Sequence, residues 1–177
     1  MIKKIVNKIN YILKINFRKI FYYLRFFKNK KKGLWNVKNF DNYQEYINFQ
    51  KEKTLDQNRR LKWLNDEWDE KVKYFDNIFK KLFKEINLDI KSKCLCIGAR
   101  TGQEVHALQK LGFSAIGIDI VECKPLVEIG DMHNLKYSDN SFDFIFNNIL
   151  DHSLYPEQSI AEIERVLKKN GYLFLQI

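Results

Sequence analysis

A single stretch, Cys94-Leu95-Cys96-Ile97-Gly98-Ala99-Arg100-Thr101-Gly102-Gln103-Glu104, constrains this chain more than any other. It reads as a short apolar strand, a turn carried by two glycines, and the first turn of a helix. Glycine lets the backbone bend tightly and lets a ligand approach where a Cβ would stand in the way. The helix that follows would aim its free N–H groups and the positive end of its dipole at whatever lies over the turn. Asp119 follows Gly98 by 21 residues, at the end of a second apolar run. That is close to the ~20 residues between a glycine turn and the acid that grips ribose hydroxyls. The unit predicts a nucleotide site, with Asp119 capping its own loop as the bland alternative.

Residues 91–177 alternate strands and helices, which predicts an α/β fold with a mostly parallel sheet. Strands are expected at Lys93–Ile97, Ser114–Ile118, Val127–Ile129, Phe142–Asn147 and Tyr172–Ile177. One helix should run from the glycine turn to Leu111, with Gly112 as its stop. Another should start at Pro156 and run to Lys169, where Lys168 and Lys169 complement its dipole and Asn170-Gly171 end it. Only seven residues, Ile120 to Leu126, join the second and third strands. A helical crossover needs ~12 or more, so none is expected there.

Residues 33–90 read as a helical lead-in. Asn42 to Lys53 is expected to be one helix. A second, long helix should begin near Asp56 or Asn58 and bury Leu61, Leu64, Trp68, Val72, Phe75, Phe79, Leu82 and Ile86, spaced by threes and fours. Core packing explains that stripe; a sharper reading makes the pair one wall of a cofactor and substrate pocket.

The net charge of +9 belongs to an arm. Residues 1–32 hold eleven Lys or Arg and no acid, leaving 20 basic against 22 acidic residues elsewhere. Apolar residues in the arm recur mostly three or four apart, which predicts a basic amphipathic helix. Such a helix could lie on an anionic membrane surface, hold nucleic acid, or pack on its own domain with its charges in water. Of the two ligands, the membrane surface is the better match. No run approaches the ~18 apolar residues of a membrane span, and no small-residue cleavage site follows. Three cysteines without a CxxC pair argue for packed, reduced thiols and no metal site. Together these features predict a cytoplasmic protein, peripheral to a membrane if the arm binds one.

Five segments then form a series: Gly98-x-x-x-Gly102-x-Glu104; Ile116-Gly117-Ile118-Asp119; Gly130-Asp131-Met132-His133; Asp139 to Ile145; and Glu162 to Gly171. Together they resemble the class I S-adenosylmethionine-dependent methyltransferases of the small-molecule type called type 11. The resemblance covers about residues 91–177, with residues 41–90 a softer match. It implies a Rossmann-like sheet, S-adenosyl-L-methionine as cofactor and methyl transfer to a small-molecule, glycan or lipid acceptor. By position, Gly98, Ala99 and Gly102 would line the methionine and ribose region, and Asp119 would hold the ribose hydroxyls. Ile120 would pack on adenine, Asp131 would accept from its amino group beside the Met132 backbone, and Asn147 would face the methionine end. Asp151 and His152, just beyond the fourth strand, are the candidates for a general base.

The chain departs from the family at Cys96, where an acid is usual, and at Arg100, where a third glycine is usual. Arg100 is expected to turn outward or to pair with Glu104 or the cofactor carboxylate. Glu104 either holds the methionine amine or closes the helix start in a Thr101-x-x-Glu104 capping box. The family continues past strand five with a helix and two strands that this sequence lacks. Either the arm or a partner in an oligomer is therefore expected to cover the strand-five edge, or the chain is a shortened, inactive gene product. These departures sustain a second reading, a non-catalytic methyltransferase-like protein that binds a membrane or partner through its arm.

Overall fold

The computed structural model describes residues 40–176, together with the backbone of Ile2–Ile5 and Asn10–Lys14. Those two short segments are strands β1 and β2. The helical lead-in follows as α1 (Tyr43–Leu55), α2 (Gln57–Leu64) and α3 (Trp68–Phe83). Then come β3 (Lys93–Ile97), α4 (Gln103–Lys110), β4 (Ser114–Asp119), β5 (Val127–Ile129) and β6 (Phe142–Asn147). A 3₁₀ turn at Leu150–His152, helix α5 (Pro156–Val166) and strand β7 (Leu167–Gln176) complete the order. The sheet runs β1-β2-β7-β6-β3-β4-β5. Among the described residues the five strands from β7 to β5 are mutually parallel, and β1 and β2 are antiparallel additions.

Both faces of the central strands are apolar, as a sheet covered on two sides requires. Cys94, Cys96, Phe144, Phe146 and Phe174 point to one face and meet Val72, Phe75, Phe79 and Leu82 of α3 and Val105 and Leu108 of α4. Leu95, Ile97, Ile145, Leu173 and Leu175 point to the other and meet Ile160, Ile163 and Val166 of α5. Phe79 is fully buried, its ring edge-on to Phe144 and Phe146 at 6.1 and 5.5 Å between centroids. Burying one such side chain contributes roughly 1.5–3 kcal/mol.

The expected long helix is two helices. Asp56, not Asn58, caps α2 by accepting from the Arg59 N–H at 2.9 Å. The chain then breaks at residues 65–67, where Glu67 pairs with both Lys62 and Lys71. Leu61 and Leu64 are 58% and 37% exposed, while the stripe from Val72 to Leu82 is buried. The buried stripe of α3 packs on the sheet face, whereas α1 and α2 line the cavity at the strand ends and leave Leu61 and Leu64 turned to water.

Two further expectations are corrected. Helix α5 stops at Val166, and Leu167 already pairs with Phe142 across a register shift in β6. Lys168 then binds Asp143 at 2.8 Å instead of serving a helix end. Gly171 lies within β7, where a Cβ would come 2.9 Å from the Asp143 carbonyl oxygen. The start of the arm is strand rather than helix: Asn10–Lys14 pairs antiparallel with Gln176–Tyr172. An unpaired sheet edge offers a row of hydrogen-bonding groups, a stronger template than a short isolated helix provides for itself. The β7 edge is thus covered by the arm and is not free for a partner. The rest of the arm and residues 33–39, with the helical, membrane and nucleic-acid readings placed there, lie outside the described residues, as does Ile177.

Arg165 ties the tail after β5 to α5. It donates to the Leu135 and Tyr137 carbonyls at 2.7 Å and pairs with Glu162 and Asp139, while Glu162 accepts the Leu135 N–H. The Glu162–Arg165 segment therefore helps to hold Asp131 to His133 in place.

Candidate functional site

The glycine turn is bound to its neighbouring strand. The N–H groups of Gly98 and Ala99 donate to the Ile118 carbonyl at 2.9 and 3.0 Å. Gly98 has φ +78, and a Cβ there would strike the Ile149 side chain. Gly102, at φ +92, starts α4 without a side-chain cap. The Thr101-Glu104 capping box does not form: Thr101 Oγ1 donates to Gln103 Oε1, and Gln103 Nε2 reaches the Trp63 carbonyl at 2.7 Å. Glu104 is instead buried behind the turn. Burial pushes its carboxyl up to about 8, against its own N–H and the Arg100 charge.

Above the turn lies a cavity of about 270 Å³, walled by strand ends on one side and by α1 and α2 on the other. The strand side contributes Gly98, Asp119, Ile120, Asp131, Met132 and Ile149. The helices contribute Tyr46, Gln50, Lys53, Arg59 and Trp63, among others. The seven-residue connection from β4 to β5 is indeed without a helix, so Asp119 at one strand end and Asp131 two residues past the other face the same space. Among the expected residues, Ala99, Gly102, Glu104, Asn147 and Asp151 do not line it. Asn147 is fully buried and accepts the Ile149 N–H at 2.9 Å, which shapes the chain end over Gly98. His152 does line it, its carbonyl held by the Tyr46 hydroxyl at 3.1 Å.

Asp119 accepts the Arg100 N–H at 3.0 Å on one oxygen and the Val121 N–H at 3.3 Å on the other. Burial raises its pKa, and these N–H groups and the Arg100 charge oppose the rise. A carboxylate has about four lone-pair directions, so acceptor capacity remains for a hydroxyl donor.

Asp131 is the focus of a polar chain that the sequence did not disclose. Its Oδ1 accepts the backbone N–H of His133 at 2.8 Å and lies 2.9 Å from His133 Nδ1, and its Oδ2 accepts the Tyr43 hydroxyl. His133 Nε2 lies 2.8 Å from Ser153 Oγ, which in turn lies 2.9 Å from Ser159 Oγ. The Tyr155 N–H also donates to Nε2 at 3.3 Å. A backbone N–H can only donate, so the network assigns Nε2 as acceptor and the ring proton to Nδ1, facing Asp131. Burial alone would raise the Asp131 pKa, but the bonds from His133 and Tyr43 outweigh it and lower it. Three of four lone-pair directions are filled, leaving one on Oδ2.

Arg100 is exposed and forms no salt bridge with Glu104. Its guanidinium sits over the Trp63 ring, 5.1 Å from the centroid. Tyr43, Arg59, Trp63 and His133 carry no motif in the sequence, and the fold alone brings the helix residues to the strand ends. Among the described residues no helix is long and apolar enough to span a membrane, and no group of three or more His, Cys, Asp or Glu could hold a metal.

Residues 95–175 match the family model of the methyltransferase domain. Over this segment the chain is similar to that family. Among solved structures, a protein from Anabaena variabilis, described as a methyltransferase of an antibiotic biosynthesis pathway, is 26% identical with a TM-score of 0.50. That match covers 56% of this chain and 44% of the other. A protein from Pyrococcus horikoshii is 22% identical, TM-score 0.51, over 58% and 56%. One from Methanococcus maripaludis, described as an S-adenosyl-L-methionine-dependent methyltransferase, shares the fold at 18% identity and TM-score 0.56, over 78% and 67%. The chain spans about half the length of the first two. No curated protein matches it significantly. The donor set of the cavity fits an adenosine-bearing cofactor such as S-adenosylmethionine: two carboxylates with open lone pairs, separated by apolar Ile120 and Met132.

Proposed function

We propose that the protein transfers a methyl group from S-adenosylmethionine to a small-molecule acceptor in the cavity between the strand tips and α1–α2. The observation that carries this is the convergence of Asp119, Asp131 and Gly98 on one space. Asp119 would take a ribose hydroxyl with its remaining acceptor capacity, and Asp131 one N–H of the adenine amino group on its last lone pair. Ile120 and Met132 would flank the base. The cofactor would supply an electrophilic methyl whose bond to sulfur breaks, its electrons passing to sulfur, as an acceptor lone pair bonds to carbon.

In such a displacement the protein chiefly aligns donor and acceptor and keeps water out. Helices α1 and α2 would serve the second need. His152, on the cavity wall, is the residue we propose to receive the acceptor's proton; Asp151 stands aside from the cavity. The test is calorimetry of the full chain with S-adenosylmethionine and with S-adenosylhomocysteine. Both are expected to bind, and Asp119→Ala to abolish binding. No binding at millimolar ligand would overturn this reading in favour of a non-catalytic protein of the same fold.

A further inference from the structure

The cavity wall is divided by charge. Its acids, Asp119 and Asp131, come from strand ends and already accept backbone or side-chain donors. Its cations, Lys53, Arg59 and Arg100, come from the helices and the glycine turn. Arg59 precedes Trp63 by four residues, so both share one face of α2, and Arg100 lies over the same indole. Among the described residues neither Arg59 nor Arg100 forms a salt bridge. Both are exposed at the cavity mouth.

Arg100 also holds a left-handed backbone conformation, φ +47, which glycine adopts more readily than a residue with a side chain. A glycine would suit that conformation and remove a cation from a site for a positively charged sulfonium cofactor. The arrangement makes sense when a negative charge joins them. Bound S-adenosylmethionine carries two positive groups and one negative, so it adds to the excess of cations. A neutral acceptor would leave that excess standing, whereas an oxyanion would offset it, and guanidinium forks match carboxylate and phosphate geometry.

We infer that the acceptor substrate carries an oxyanion, a carboxylate or phosphate, bound at the cavity mouth by Arg59 and Arg100 with Trp63 between them. This rests on the methyl-donor reading above. The competing source of the same chemistry is the cofactor's own carboxylate. Lys53 adds to the field that would draw an anion in.

The test uses the full chain in two titrations, first with S-adenosylhomocysteine, then with inorganic phosphate or benzoate added to the loaded protein at constant ionic strength. The wild type is expected to bind at least one anion when loaded. Arg59→Gln, which leaves the Asp56 cap intact, should weaken that anion about 10-fold while changing S-adenosylhomocysteine affinity less than about 3-fold. A melting curve confirms that the variant folds, and Lys53→Gln should weaken the anion to a smaller extent. The inference is overturned if S-adenosylhomocysteine binds but neither anion does. It is also overturned if the anion binds only the free protein and S-adenosylhomocysteine displaces it, for then the arginines hold the cofactor carboxylate. If S-adenosylhomocysteine itself fails to bind the wild type, the methyl-donor reading falls and takes this inference with it.

Discussion

The backbone N–H of Tyr155 donates to Nε2 of His133, and that contact sets the ring's proton on the side of Asp131. His133 thereby acts as a positioning residue for a carboxylate on the cavity wall. His133→Ala would leave the Tyr155 N–H and the Ser153 hydroxyl without their acceptor. We expect a loss of about 2–4 kcal/mol in urea unfolding and about 10-fold weaker S-adenosylhomocysteine binding. Unchanged ligand affinity in a folded variant would confine His133 to a structural role.

Glu104 titrates near 4.5 when unfolded and about 8 when folded. The fold favours its neutral form, so its contribution is full below about pH 4.5 and drains away as pH rises through about 8. Glu104→Gln removes that slope. The melting temperature of the variant should gain on the wild type from about pH 4.5 to about pH 8 and gain no more above it. A difference that stays constant across this range would contradict a buried, protonated Glu104.

Phe79 lies among Phe75, Phe83, Phe144 and Phe146, fully buried. Phe79→Ala should cost about 3–5 kcal/mol by denaturant unfolding. Leu61→Ala, on the exposed part of the same periodic stripe, should stay within about 0.5 kcal/mol.

Arg165→Leu should loosen the tail that carries Asp131. Four hydrogen-bonding partners lose their donor, and about 1–3 kcal/mol of stability should go with them. A milder fall in S-adenosylhomocysteine affinity than that of Asp119→Ala should accompany it, read by the same calorimetry.

Where the sequence was legible, short-range chemistry governed. β3, β4, β5 and β6 lie where apolar runs bounded by Gly98, Asp119, Gly130 and Asn147 placed them, and Gly112 ends α4 as expected. The absent crossover helix followed from chain length alone. What stayed hidden was settled by distant contacts. The spacing of Leu61 and Leu64 matches that of Val72 and Phe75, and only the extent of the sheet beneath tells them apart. Lys168 looked like a helix end until Asp143 was beside it. His133 has Asp131 two residues away, but Tyr43, Ser153 and Tyr155, which complete its setting, lie 90, 20 and 22 residues away. The arm's first residues read as helix by periodicity, and the open side of β7 made them strands.

Helices α1 and α2 meet the body of the protein through the rings of Tyr43 and Tyr46 against His133 and Tyr155 and through a few polar contacts: the two tyrosine hydroxyls, the Arg60 guanidinium on the Glu122 carbonyl, and the Trp63 carbonyl. Their leucines at 55, 61 and 64 face water. Lifting them would forfeit these bonds, at about 1 kcal/mol each, and the burial of Tyr46, and would leave the phenylalanine interior undisturbed. Entry and departure of cargo can then proceed by local breathing, on a clock far faster than that of global melting.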